Sequence, residues 1–441
     1  MNAEKANDTI DAARQLQRAL YRAAKASATR RFHTLYDKVY RQDILFRAWQ
    51  EVKARAGAAG VDGQSIEAIE QRGVEGFLTK LADDLREGDY RPQPVRRVFI
   101  PKADGKQRPL GIPTVRDRVV QASAKVVPEP IFEADFRGSS YGFRPKRNAH
   151  QAMERVRQAV NAGWNWAVDA DIQAFFDRID HAKLVRLLGR RISDRRMLKL
   201  VRQWLEAGVL NEGEWLPSEQ GVPQGGVISP LLANIVLHEL DRQWEDEWRH
   251  LGQLVRYADD FVILCGNEGN AQKALRCVEG ILAELGLTLH PEKTRLVDLR
   301  DGKAGFDFLG FHCRKTESWR YRRKWYLRYW PSHRSMQRVR DCIKAITAPR
   351  HRLPEPVQSI VAELNPLLSG WGAYFRVGSS GHQFGRIDDY VRERLALFLR
   401  KKVGRKGRHW RGAYSITFQR LGLYRLSGTV AWHKARPTAT R

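Results

Sequence analysis

The chain reads as an α+β fold with its strands gathered in the middle and its helices towards both ends. Three observations predict this. Apolar residues Leu16, Leu20, Phe32, Leu35, Tyr36, Val39, Leu45 and Trp49 recur near helical spacing between about residues 8 and 56. Two apolar runs, 254–257 and 261–265, flank Ala258-Asp259-Asp260 in the pattern of a hairpin with a tight acidic turn. A helical region punctuated by Pro349, Pro354, Pro356 and Pro366 then runs on to about Lys402.

The elements follow in order. GAAGVDG, from Gly57 to Gly63, breaks the first helical run, and a second is expected from about Ile66 to Arg86. Pro92 and Pro94 introduce an extended stretch, Val95 to Ile100, whose β-branched content suits a strand. PKADGKQRPLGIP (Pro101 to Pro113) is turn-rich, and Arg116 to Phe132 reads as helix. Asn165 to Ile172 is a short strand ending in acids, and a helix begins at His181. Helices are expected over Ser229 to Trp248 and Gln272 to Leu285, with a strand near Lys293 to Leu299.

Composition narrows the function. In 441 residues, 77 Lys and Arg outnumber 50 Asp and Glu, giving a net charge of +27. That field makes a polyanion the first candidate partner. Disorder as the main state is excluded by 10% aromatic residues. Cys265, Cys277, Cys313 and Cys342 lie far apart without a CxxC pair, which argues against a disulfide framework or zinc ribbon. The N-terminus has no apolar signal region, and nowhere do about eighteen apolar residues run without charge. The expectation is a basic cytoplasmic protein that does not enter a membrane.

In so basic a chain, clustered acids are informative. VDADIQAFFDRIDH carries Asp169, Asp171, Asp177 and Asp180, and YADDFVILC places two adjacent carboxylates at the hairpin tip. Like charges there repel, and a divalent cation resolves the repulsion; hard carboxylate ligands select Mg²⁺ or Mn²⁺. One more aspartate from another strand would complete a two-metal site for in-line phosphoryl transfer. A lone Asp-Asp pair is usually a solvated turn, and D-x-x-x-F-F alone is usually an ordinary strand-to-helix junction. Here the two stand about ninety residues apart with a Gln-Gly loop between them.

The blocks DADIQAFFDRIDH, GVPQGGVISPLLANIVLHELD, YADDFVIL, LHPEKTRLV and FDFLGF together resemble the bacterial group II intron reverse transcriptase/maturase family. GAAGVDG, IPKADGKQRPLGIP and GWGAYFR extend the resemblance over nearly the whole chain. It implies a right-hand polymerase, with fingers and an antiparallel palm sheet carrying helices, followed by an α-helical thumb/maturase domain. The boundaries expected are 1–94 for an N-terminal extension and the start of the fingers, and 95–315 for fingers and palm. Thumb/maturase residues 316–402 and a short basic DNA-binding-like tail, 403–441, complete the chain. Longer relatives add an H-N-H endonuclease with paired cysteines, so the endonuclease-lacking form is expected.

Carried over by residue, the resemblance makes Asp171, Asp259 and Asp260 the metal-binding triad for two Mg²⁺ ions, with Mn²⁺ able to substitute and Ile172 beside Asp171 as a further ligand. Capping or surface pairing is the alternative reading for Asp169, Asp177 and Asp180. Phe176 would exclude a 2′-hydroxyl and favour dNTPs, whereas Phe175 reads as core. Lys102 and Arg108 would grip the triphosphate, with Lys106 as the solvated member of that loop. Gln224 and Gly225 would bring backbone close to the templating pair. Lys293 is the candidate general acid near the leaving pyrophosphate. Phe308, Leu309 and Gly310 resemble the primer-gripping turn.

Nucleic-acid contacts are expected where basic side chains interleave with aromatics. Between Arg314 and Arg352, thirteen Lys or Arg face two acids, with Arg323, Lys324 and Arg328 among them. The aromatics interleaved in the part from Ser318 to Trp330, namely Trp319, Tyr321, Trp325, Tyr326, Tyr329 and Trp330, alone read more often as core than as a stacking platform. Seven of the twelve residues from Arg400 to Arg411 are basic, including Lys401, Lys402, Arg405 and Lys406; a solvated charge run is the alternative. Arg18 and Arg22 lie on the N-terminal helix. The implied partners are group II intron RNA, an RNA template with a DNA primer, target DNA and dNTPs. The implied function is copying intron RNA into cDNA and assisting splicing for retrotransposition. A host-serving relative (defence, CRISPR-associated or repair) and a splicing-only maturase are the competing readings.

Overall fold

The structure, a computed structural model, describes residues 3–101, 107–211, 213–318, 324–403 and 420–431. The chain forms two compact units. The first comprises Met1–Ala152, Val168–Ile263 and Gly269–Arg295; the second comprises Met153–Ala167, Leu264–Glu268 and Leu296–Arg441. Among the described residues, the strands in chain order are β1 (Val95–Pro101), β2 (Gln107–Ile112), β3 (Trp166–Asp171), β4 (Val209–Asn211), β5 (Glu214–Leu216) and β6 (Gly252–Tyr257). After them come β7 (Asp260–Cys265), β8 (Arg295–Asp298), β9 (Gly305–Phe308), β10 (Phe311–Glu317) and β11 (Trp325–Pro331).

In the first unit, the helical run expected over residues 8–56 is three helices, Ala3–Ala26, Tyr36–Val39 and Gln42–Ala54. Tertiary pairing interrupts it. Phe32 forms a bridge with Ile192, and the Asp194 carboxylate accepts the Leu35 and Tyr36 N–H groups at 2.8 Å each. Ala13, Ile44 and Val126 then bury together, joining the first helix to Gln42–Ala54 and Val115–Val126. The expected helix over 66–86 is likewise split, at Gly73, whose φ of +103° suits glycine and ends Ile66–Arg72 before Val74–Glu87 begins. A helix at Arg195–Glu206 was not expected, although Met197, Leu200, Val201, Trp204 and Leu205 show the i, i+3, i+4 spacing that buries one face.

Two sheets carry expected site residues. One has the order β2-β1-β4-β5, with β1 and β2 antiparallel so that Ile100 faces Arg108. The other has the order β6-β7-β3-β8. Its strand β7 is almost wholly apolar and buried from Phe261 to Cys265, which fixes the acidic turn before it at the sheet's end.

The second unit holds the antiparallel sheet β11-β10-β9 and the helices His333–Thr347, Val357–Phe375 and Gly381–Val403. The region after residue 316 thus opens with β11 paired to β10, Arg328 opposite Arg314, before the helices begin. Alternation sorts its side chains: Leu327 and Tyr329 are buried on one face and Tyr326 is exposed on the other, while Trp325 is exposed at the strand's start. Phe311, Tyr329, Tyr374 and Phe375 pack together, and Val339, Ile343, Leu364, Leu368, Phe384, Val391 and Leu395 fill the helical core. No helix among the described residues is long and apolar enough to cross a membrane.

Candidate active site

The site grows from the end of β3. Val168 and Ala170 are buried, so the alternating Asp169 and Asp171 turn to the opposite face. Asp169 is paired with Arg295 at 3.0 Å, and Asp180 accepts the Lys183 N–H at 2.6 Å as a helix cap. Beyond β3 the chain is stitched to the 288–294 segment. His290 donates its N–H to the Asp171 carbonyl at 2.8 Å, Ile172 bridges Leu289, and the Gln173 N–H reaches the Thr288 carbonyl at 2.9 Å. The turn at His290 swings Lys293 back, placing its Nζ 2.5 Å from Asp171 Oδ2.

Ala174, at φ +48°, then folds the chain so that Phe175 is buried and Phe176 half-buried, with ring centroids 5.2 Å apart. The Gln-Gly loop is laced onto that turn: the Val222 N–H donates to the Phe176 carbonyl at 2.7 Å. It also reaches β2, whose Gly111 N–H donates to the Gln224 carbonyl at 2.7 Å. Gly225 has φ +117°, and a Cβ there would lie 2.4 Å from the Gly111 carbonyl oxygen. Glycine is required at that position for both reasons.

Asp259 lies in the β6–β7 turn and Asp260 opens β7. Ala258 turns the chain at φ +58°. The turn rests on a buried polar network that the sequence reading did not identify. Arg256 and Asp241 are both fully buried and form a bidentate pair, with Nε 2.7 Å from Oδ1. The same guanidinium donates to the Ala258 carbonyl at 2.9 Å, Asn234 Oδ1 at 3.1 Å and Ser140 Oγ at 2.7 Å. The available signal was an arginine inside an apolar strand, two residues before Ala258.

The electrostatics join these parts. Burial is the largest influence on Asp259 and pushes its carboxyl above the usual carboxylate range. The negative charge of Asp171 adds to the rise, while Arg108 and Arg256 oppose it. Asp171, Asp259 and Arg108 therefore share one field. Among the described residues, no three His, Cys, Asp or Glu side chains form a ready-made metal cluster. The donor chemistry nonetheless suits a hard divalent cation: the Asp171 charge adds to the cost of ionising Asp259, and the Lys293 ammonium stands against Asp171.

The remaining expected residues fall elsewhere. Lys102, Arg323, Arg405 and Lys406 lie outside the described residues. Phe308, Leu309 and Gly310 form the β9–β10 turn of the second unit. Leu309 is at φ +50°, the Tyr374 hydroxyl donates to the Leu309 carbonyl at 2.9 Å, and Ser335 Oγ to the Gly310 carbonyl at 2.8 Å. Arg18, Arg22, Lys324 and Lys401 are exposed and Arg328 is half-buried. Lys402 differs from a freely solvated cation, because its Nζ binds the Pro354 and Glu355 carbonyls at 3.0 and 2.5 Å.

Residues 100–313 match the family model described as reverse transcriptase (RNA-dependent DNA polymerase), and residues 336–414 match the group II intron, maturase-specific domain. The chain is 35% identical over 343 residues to Protein YkfC of Escherichia coli, covering 69% of this chain and 89% of that one. It is 39% identical over 216 residues to the group II intron-encoded protein LtrA of Lactococcus lactis subsp. cremoris, covering 48% of this chain and 35% of LtrA. A solved structure, the partial Cas6-RT-Cas1–Cas2 complex, aligns at 26% identity and TM-score 0.36 over 57% of this chain and 42% of that one. The matched polymerase and maturase regions define an RNA-directed DNA polymerase. The chain belongs to the group II intron reverse transcriptase/maturase family. Enzymes of this class work with divalent metal ions, and the maturase match makes intron RNA the partner to expect.

Proposed function

We propose that the protein copies group II intron RNA into cDNA from a DNA 3′ end, and binds the same RNA as a maturase that assists splicing and insertion into target DNA. The observation that carries this reading is Asp171 at the end of β3, ion-paired with Lys293 at 2.5 Å, within the reverse transcriptase match that also holds the Asp259-Asp260 turn. Asp171, Asp259, Asp260 and the Ile172 main chain would hold two Mg²⁺ ions, or Mn²⁺ in their place. Bound there, the ions would lower the pKa of the attacking 3′-hydroxyl and neutralise charge on the triphosphate.

The chain's own residues supply the rest. Arg108, with Lys102, holds the triphosphate of the incoming dNTP by charge-assisted hydrogen bonds. Phe176, half-buried beside buried Phe175, sets its ring against the sugar and excludes a 2′-hydroxyl. Gln224 and Gly225 bring main chain rather than side chain to the templating pair. The Lys293 ammonium, ion-paired with Asp171, gives a proton to the leaving pyrophosphate. Phe308, Leu309 and Gly310 hold the primer strand. Arg18, Arg22, Arg323, Lys324, Arg328, Lys401, Lys402, Arg405 and Lys406 contribute to the RNA surface.

Extension of a DNA primer on an RNA template, with intron RNA binding measured in parallel, tests the reading. Incorporation together with binding supports it. Binding without incorporation would leave a splicing-only maturase.

A further inference from the structure

Among the described residues, six non-glycines have positive φ: Ala56, Phe143, Lys146, Ala174, Ala258 and Leu309. Such backbone is costly and persists only where its surroundings fix it, which is why it gathers at working sites. Ala174, Ala258 and Leu309 lie in elements already given a role, and Ala56 closes the end of the Gln42–Ala54 helix, its N–H donating to the Lys53 carbonyl at 3.0 Å. Phe143 and Lys146, at φ +55° and +61°, have no such role.

Their loop, residues 139–148, is firmly anchored. The Tyr141 N–H donates to the Arg256 carbonyl at 2.8 Å, and the Arg256 N–H to the Ser139 carbonyl at 2.9 Å. Asn234 Nδ2 donates to the Gly142 carbonyl at 2.8 Å. Buried Arg144 holds Glu133 at 2.7 Å and the Ser140 carbonyl at 2.8 Å. At Gly142 the loop touches the acidic hairpin, for a Cβ there would lie 2.3 Å from the Ala258 nitrogen. Phe143 is the next residue. Its side chain is thus carried at a fixed place beside the turn that bears Asp259.

The ring nevertheless faces water. Phe143 is 52% exposed, its centroid 6.4 Å from that of Tyr257, and Pro145, Lys146 and Arg147 beside it are exposed as well. An aromatic ring flanked by cations, on rigid backbone next to the reacting groups, is the combination that nucleic-acid channels use. A lone ring is too small an apolar surface for a protein partner, and it has no donor or acceptor to read a base.

We infer that Phe143 is a contact for the primer–template duplex beside the catalytic turn, its ring packed on the sugar–base edge without sequence preference, with Lys146 on a nearby phosphate. The inference rests on the polymerase reading above.

The test is the affinity of the full chain for a labelled RNA-template/DNA-primer duplex by fluorescence anisotropy, with primer extension alongside. Phe143→Ala weakens binding about tenfold. Phe143→Trp stays within about twofold of wild type, as stacking on any large ring requires. The unfolding temperature of either variant moves by about 2 °C or less, because the ring is half exposed. Lys146→Gly, which keeps the left-handed backbone, lowers the salt slope of binding by about one. Unchanged affinity in Phe143→Ala overturns the inference. So does a loss that accompanies a lower unfolding temperature and is not restored by tryptophan, which would make the ring packing. Failure of the wild-type chain itself to bind and extend the duplex would instead overturn the polymerase reading, and this inference with it.

Discussion

Replacing Arg256 by methionine keeps much of the side chain's length and removes its charge. Asp241, fully buried, is then left without its cation, and breaking a buried pair in this way costs about 3–5 kcal/mol. The Ala258 carbonyl and Asn234 Oδ1 lose donors at 2.9 and 3.1 Å, and each unpaired buried acceptor costs about 1–3 kcal/mol before relaxation. Neighbouring groups do not add fully, so about 4–6 kcal/mol is expected, against a total of about 5–15 for a typical domain. Arg256→Met with Asp241→Leu removes the stranded charge and should recover most of that loss. It leaves the Ala258 carbonyl without its donor, so the acidic turn stays unsupported and primer extension stays low. Urea denaturation followed by tryptophan fluorescence, with primer extension on the same samples, measures both. A single variant losing under about 1 kcal/mol, or a double variant extending primers at the wild-type rate, would refute the claim that this network positions the turn.

Other substitutions give separable outcomes. Phe176→Ala should admit ribonucleotides; an unchanged dNTP-to-rNTP ratio would make Phe176 only a packing residue beside Phe175. Lys293→Ala should lower kcat by about 10²–10⁴ if it is the general acid. Its exposed pair with Asp171 is worth only about 0–1 kcal/mol, so an unfolding midpoint near wild type should accompany that loss. His238 provides a pH test. Burial lowers its pKa from 6.5 to about 4, so between those values the unfolded chain takes up a proton that the folded chain refuses. Stability is complete above pH 6.5 and falls as pH drops towards 4, by up to about 3 kcal/mol from this group. His238→Phe, beside Phe136, should flatten that fall, and an unchanged difference between pH 7 and pH 4.5 would remove His238 as its source.

The acidic site was legible because its members are adjacent or lie in short motifs: Asp259 and Asp260 sit between two buried strands, and Asp171 ends a third. Helix breaks were less legible where distant residues cause them. Nothing near Leu35 announces that Asp194 will cap its N–H across 159 residues. The support of the turn was hidden for the same reason, since Arg256 finds Asp241, Asn234 and Ser140 at separations of 15, 22 and 116. Local pattern shows only a charge in an apolar strand. Phe143 belongs to a third kind, in which a backbone angle and an exposed ring carry the signal and composition carries none. In the basic stretch ending at Trp330, charge suggested a nucleic-acid surface, and strand alternation decided that Tyr329 is buried while Tyr326 is not.

The most direct test is incorporation of dTTP on poly(rA)/oligo(dT) with Mg²⁺, comparing the wild-type chain with Asp259→Ala. Steady incorporation by the wild type is expected, and none by the variant while its affinity for intron RNA is retained. Incorporation by Asp259→Ala near the wild-type rate, or none by a folded wild-type chain, would contradict the proposed function.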